Sequence, residues 1–369
     1  MTIKTTHAWV SDLEGVSTVI RGLGLANSVA DRDLDVDGRN LANSPEHCRL
    51  IGRGADAIMR EGSASATELK KLLLGVVAYN TYGMFSEFAV YDWLHQHNVA
   101  FSTQVETKQQ DILGQNPVPI DGRLTHAGVY FDVKAFGFHG RLAQRLKDRL
   151  QQELPSFDIF VERSWDISLE QFQNLIADAQ QLAQKLQSVK VISVDGLQVR
   201  IGPKQRVSTS TRETDPYLKA EQNSLFALTS ANQFTTNNPF MLVFPIHPWF
   251  DQNDIGINFA DSDKTFTRAL ARRTFFQYAQ SQADCSTICK KVKQSTTVGD
   301  AAAALSAMLF LNIWPNDLYP VGSDGARLAP SWLYLNPRAR HPISDAKVRQ
   351  MLGFEPHGIT IDDFAHDNY

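Results

Sequence analysis

The feature that most limits the fold is a change of hydrophobic period close to residue 100. From Ala66 to Asn98 the chain reads ATELKKLLLGVVAYNTYGMFSEFAVYDWLHQHN, with apolar residues recurring at three and four spacings. That spacing predicts one long helix, or two joined near Asn80 to Gly83. Beyond it the period shortens. AFSTQVETK (100–108) alternates as a strand does, Pro119 to Leu124 follows a Pro/Gly/Asn loop, and GVYFDVKAF (128–136) is dense in β-branched and aromatic residues. A basic amphipathic helix follows over Gly140 to Leu150, where Leu142, Leu146 and Leu150 recur every four residues, and then a strand, FDIFVE (157–162). The order is helix, three strands, helix and strand.

The flanks read differently. Residues 1–65 are polar and Gly-dotted and predict an N-terminal helical extension. After residue 165 come a Gln-rich helix (168–187), a hairpin (189–202) turning at Asp195-Gly196, and a polar loop or lid (203–238). Strands are expected at 241–246, 256–259 and 331–335, and helices at 264–280 and 298–311. The expected fold class is α/β, divided into an extension (1–65), a core (66–165) and a C-terminal α+β region (166–369).

With 369 residues and 43% hydrophobic content, the chain can fill one large core or two to three smaller ones. No apolar run approaches the roughly 20 residues that span a bilayer, and the polar opening MTIKTTHAWVSDLEG lacks a secretory apolar stretch. A cytoplasmic protein with no membrane partner is expected. Cys48, Cys285 and Cys289 are too few and too scattered for a disulfide framework or a four-thiolate zinc site, and read as ordinary reduced thiols. The net charge of −4 excludes a surface basic throughout, while leaving local clusters such as Arg268, Arg272 and Arg273. There is no phosphate-binding glycine loop, dinucleotide fingerprint or nucleophile elbow, which argues against ATP-driven or nicotinamide chemistry.

The most informative constellation is Asp121, followed eleven residues later by Asp132-Val133-Lys134. On a strand, residues i and i+2 share a face, so Asp132 and Lys134 should stand together while Phe131 and Val133 bury on the other side. A hairpin through Gly122 to Gly128 would bring Asp121 beside them. Two carboxylates placed so suit a hard divalent ion such as Mg²⁺. Acid-x-Lys alone is not diagnostic, because it recurs at Glu68, Glu106 and Asp345. Only the Asp132 copy lies on an apolar strand behind a hairpin acid.

This arrangement resembles the PD-(D/E)xK nuclease superfamily, with its restriction-endonuclease-like core. The family's frequent Pro is displaced here to Pro119, and Asp132 stands where Glu is commoner. The resemblance covers residues 66 to about 163, under a third of the chain. It implies Mg²⁺ or Mn²⁺ held by Asp121 and Asp132, with the Val133 carbonyl and Glu87 through water, and Lys134 positioning the attacking water. Catalytic residues would then be Glu87, Asp121, Asp132 and Lys134. It further implies nucleic acid as partner, DNA rather than RNA, and a homodimeric endonuclease of restriction or phage-defence type. Helix termini and arginines bind phosphate, so Arg141, Arg145 and Arg149 are the expected strand-gripping residues, with His139 a cap or surface residue. The rival readings are a catalytically inactive nuclease-like nucleic-acid-binding or assembly module, and another hydrolase using His247, Asp251 and Asp254.

Overall fold

Side-chain caps fix the N-terminal helices where the sequence changes from polar to periodic. In the computed structural model, Thr5 and Ser17 cap the helices Thr6–Val16 and Thr18–Gly22, and Ser44 caps Pro45–Arg60 with Pro45 in the first turn. A capping box of Ser65 and Glu68 opens Ala66–Leu74. The structure describes residues 4–34, 38, 41–61, 64–79, 81–135, 138–163, 174–194, 197–204, 217, 220–221, 224–246, 259–313, 331–352 and 359–367. Of the expected one long helix or two joined near Asn80 to Gly83, Asn80 lies outside the described residues. A π-helical turn, Gly75–Tyr79, precedes the second helix, Thr81–Gln96.

Thr81–Gln96 is clasped by Pro45–Arg60. The Arg53 guanidinium meets the buried Asp92 carboxylate through Nε at 3.1 Å and Nη2 at 2.9 Å. Between the helices Gly54 has no room for a side chain, since a Cβ there would lie 2.5 Å from the Phe88 carbonyl oxygen.

The strands are β1 (Phe101–Val105), β2 (Ile120–Leu124), β3 (Val129–Val133), β4 (Phe157–Arg163), β5 (Val191–Val194), β6 (Leu197–Pro203), β7 (Phe240–Ile246), β8 (Leu305–Asn312), β9 (Ser331–Leu335) and β10 (Ile359–Asp362). Seven form one mixed sheet in the order β1-β2-β3-β7-β8-β9-β10. β1, β2 and β3 make an antiparallel meander, β7 lies parallel to β3 with Asp132 opposite Leu242, and β8 lies parallel to β7. The class is therefore mixed α/β.

The fourth strand is not where it was expected. β4 pairs with β6 along its whole length, from Phe157 opposite Pro203 to Arg163 opposite Leu197, in a separate three-stranded sheet ordered β4-β6-β5. The neighbour of β3 is β7. Composition explains the difference: FDIFVER carries charged residues among its apolar ones, as a half-covered antiparallel strand does, whereas FMLVFPI is apolar throughout and buried throughout. A second correction has the same root. LSAMLFLN, expected as the end of a helix over 298–311, is β8, because a short apolar run without polar interruption carries no period that separates helix from strand. Its helix stops at Ala304.

Two compact units result, one of residues 1–135, 215–248 and 257–369, the other of residues 136–214 and 249–256. The breaks near residues 65 and 165 do not coincide with this division, which places residues 66–135 and 136–163 in different units. The second unit has its own core, in which Leu146, Leu150 and Leu154 pack with Leu182, Leu186, Ile159, Val199 and Ile201. Of the expected strand at 256–259, residues 256–258 lie outside the described residues, and Phe259 begins the helix Phe259–Arg272.

The Gly54 contact gives a test of the helix clasp. Gly54→Ala should lower stability by about 1–3 kcal/mol, the usual cost of overpacking a close helix crossing, measured as a shift of the urea midpoint.

Candidate active site

Asp121 and Asp132 face each other because of register. Gly122 pairs with Phe131 across β2 and β3, so the next residues along, Asp121 and Asp132, stand opposite one another. Glycine is required at 122, where a Cβ would come within 2.2 Å of the Phe131 ring. Asp121 Oδ2 accepts the Val133 amide at 2.8 Å, and the facing Asp132 carboxyl helps raise its pKa. Phe131 and Val133 are buried, as the alternation requires. Asp132 is fully buried too, at 0% exposure, with Lys134 beside it.

Lys134 Nζ forms an ion pair with Asp132 Oδ2 and donates to Gln233 Oε1 at 3.2 Å. The other end of the same amide, Gln233 Nε2, donates to Asp132 Oδ1 at 3.1 Å. Gln233 thus bridges acid and base, and its two partners fix which way the amide points. It sits at the end of a 3₁₀ segment, Phe226–Gln233, just ahead of β7.

Glu87 reaches the same place from the Thr81–Gln96 helix. One turn further on, the buried Tyr91 stacks on Phe101 of β1 with centroids 5.5 Å apart, and its hydroxyl donates to the Asp121 carbonyl at 3.0 Å. The same hydroxyl lies 3.4 Å from Glu87 Oε2. This contact ties the helix to the strand that carries Asp121.

The electrostatics follow from three carboxyl groups sharing one ammonium. Burial, then the Asp132 and Glu87 charges, hold the Asp121 carboxyl well above the usual carboxylate range, and Lys134 only partly offsets them. Glu87 is pushed up to about 8, chiefly by burial and then by Asp132, against the pull of Lys134 and the Tyr91 hydroxyl. Burial favours a neutral Lys134, but Asp132, Asp121 and Glu87 outweigh it, and its pKa is raised. Lys134 is an ammonium at neutral pH. Glu87, at about 8, retains a proton at neutral pH that a divalent cation would displace.

No family model, curated protein or solved structure matches the chain. The chemistry must therefore be argued from the cluster itself. Its donors are hard carboxylate oxygens on two facing aspartates, with a third acid near, a set of the kind that suits Mg²⁺ or Mn²⁺. Among the described residues no three His, Cys, Asp or Glu side chains are already posed around a common ion position. Instead Asp132 is occupied by Lys134 and Gln233, and Asp121 by the Val133 amide.

The remaining sequence candidates divide between described and undescribed residues. Arg149 is exposed, donates to Gln152 Oε1 at 2.9 Å and belongs to the second unit; the side chains of Arg141, Arg145 and His139 lie outside the described residues. His247, Asp251 and Asp254 also lie outside them. Glu106 is exposed just beyond β1. The three cysteines are free and buried, and burial pushes the Cys48 and Cys285 thiols up to about 11. Arg268, Arg272 and Arg273 pair with Asp362, Asp367 and Glu221. Sequence reasoning missed Gln233 and Tyr91. Tyr91 had a faint signal, four residues after Glu87 on the same helical face, whereas Gln233 had none.

Like-charge crowding predicts an unusual response to mutation. Asp121→Asn keeps an oxygen for the Val133 amide and offers an N–H to Asp132, so it should stabilise the ion-free protein by about 0.5–2 kcal/mol. Urea unfolding in the presence of a chelator measures this. A loss of stability would show that the crowding is already compensated.

Proposed function

We propose that the chain is a metal-dependent phosphodiesterase that cleaves nucleic acid. The observation that carries the reading is the register that sets Asp121 opposite Asp132 on neighbouring strands, with the Lys134 ammonium paired to Asp132 and Glu87 near enough to be coupled to them. The topology supports it further. A helix, an antiparallel meander and a strand parallel to β3, here β7, agree with part of the expected order of helix, three strands, helix and strand, while the helix Phe138–Glu153 that follows β3 belongs to the second unit. DNA as substrate, a role in restriction or phage defence, and a homodimer rest on family analogy alone.

Asp121 and Asp132, with Glu87 and the Val133 carbonyl, would hold Mg²⁺ or Mn²⁺. When bound, such an ion polarises a phosphodiester oxygen and supplies a nucleophilic water near neutral pH. The protein's own groups do the rest. The Val133 amide and Tyr91 hold Asp121 in place, and Gln233 keeps the Asp132 carboxylate and Lys134 in fixed orientation. As an ammonium, Lys134 offsets charge that builds on the phosphoryl oxygens, a role its raised pKa favours over that of general base.

Cleavage of supercoiled plasmid and of single-stranded oligonucleotides, with Mg²⁺, Mn²⁺ or a chelator, tests the assignment. Wild type should cut only with metal. Asp132→Ala should lower the rate by at least two orders of magnitude, and Lys134→Ala by about 10²–10³. Unchanged metal-dependent cutting by Asp132→Ala sinks the proposal.

Metal should also stabilise the fold. Millimolar Mg²⁺ or Mn²⁺ is expected to raise the melting temperature of wild type and not that of Asp121→Asn with Asp132→Asn, by the linkage of binding to folding. Equal shifts in both would place the ion elsewhere.

A further inference from the structure

Arg268, Arg272 and Arg273 lie where the helix Phe259–Arg272 passes into the π-helical turn Arg273–Gln277, and the Asp121–Asp132 cluster makes no use of them. Together with Thr265, Phe276 and Tyr217 they line a cavity of about 700 Å³. Among the described residues no carboxylate lines it. The acids that hold these arginines are elsewhere: Asp362 Oδ2 accepts Arg268 Nε at 2.6 Å, and Asp367 accepts Arg268 Nη2 at 2.7 Å and Arg272 Nε at 2.9 Å. Both belong to the C-terminal segment, which Phe364 anchors at 3% exposure against Phe275 and Phe276. Arg273 is held more loosely, with Glu221 and Gln277 each at 3.5 Å.

Two guanidinium groups are thus oriented by carboxylates outside the cavity, while a third can turn toward a ligand at little loss. Planar guanidinium forks match phosphate oxygens, and three of them line one cavity. Phe276 is half-buried, carries the Arg338 guanidinium 4.9 Å from its ring centroid, and adds to the cavity an aromatic surface of the kind on which a base stacks. The volume is that of a small-molecule pocket.

We propose that this cavity binds a nucleoside 5′-phosphate, with its phosphate on Arg272 and Arg273 and its base against Phe276. The site is separate from the acidic cluster: its helix packs on β9, three strands along the sheet from β3, or about 14 Å at the usual strand spacing. The phosphate-bearing nucleoside is either free or the 5′ end of a strand.

Titration calorimetry on the full chain, with a chelator present, tests this using adenosine 5′-monophosphate, adenosine, inorganic phosphate, and one oligonucleotide with and without a 5′-phosphate. The nucleotide should bind at least tenfold more tightly than adenosine or phosphate. Arg273→Gln should weaken it at least tenfold, and Phe276→Leu should bring its affinity toward that of phosphate. Tighter binding of the 5′-phosphorylated oligonucleotide than of the nucleotide identifies a strand end as the ligand; the reverse identifies the free nucleotide. The proposal fails if wild type does not bind the nucleotide at millimolar concentration, if adenosine binds as well, or if Arg273→Gln, melting as wild type does, binds unchanged.

Discussion

The parallel pairing of β3 with β7 is the contact on which the larger unit depends. It joins Tyr130–Val133 to Phe240–Val243, about 100 residues apart in sequence, and through β7 it connects the meander to β8, β9 and β10. Closing so long a loop costs little more than closing a shorter one, because the entropy grows only logarithmically with length. What must be supplied is burial, and β7 supplies it with seven consecutive buried residues. The same pairing delivers Gln233, seven residues ahead of Phe240, to Asp132 and Lys134. The backbone contact that completes the sheet therefore also completes the site.

Against that cooperative core the acidic cluster is a local conflict. Buried carboxyls that raise one another's pKa oppose folding wherever they must ionise, and a chain selected only for stability would place amides or apolar residues there. The conflict is sustained by well-made surroundings. Tyr91 on Phe101, Arg53 on Asp92, and Gly54 against Phe88 fix the Glu87 helix against its neighbours. Rigid support around a destabilised polar centre is the usual form of a preorganised site.

How much of this was legible in the sequence depends on the range of the interactions. The alternation in VYFDVKAF placed Asp132 and Lys134 on one face, and the hairpin spacing brought Asp121 to them, because both are consequences of strand geometry over a few residues. Glu87 was legible as an acid in an apolar helix. The partner of β3 was not, since β4 comes next in the chain and its alternating apolar residues satisfy any strand template. Only the contrast between a half-polar FDIFVER and a wholly apolar FMLVFPI separates an outer antiparallel strand from a central parallel one. Gln233 could not be found at all, because a glutamine in a polar stretch has meaning only once β7 has set its position.

The count of charges bears on whether the cluster is a structural ion pair or a reactive centre. A structural pair needs one acid for one base, and Asp132 with Lys134, bridged by Gln233, already meets that need. Asp121 and Glu87 are then surplus: each adds repulsion, and each is pushed above its ordinary pKa by burial and by the neighbouring acids. A purely structural role gives no reason to keep either residue acidic, since asparagine and glutamine would preserve their hydrogen bonds without the charge. A role in holding a divalent cation does, because the ion's charge offsets the crowding of the acids and converts their repulsion into ligation. The surplus acids, more than the pair, are the physical reason to read the cluster as a catalytic centre.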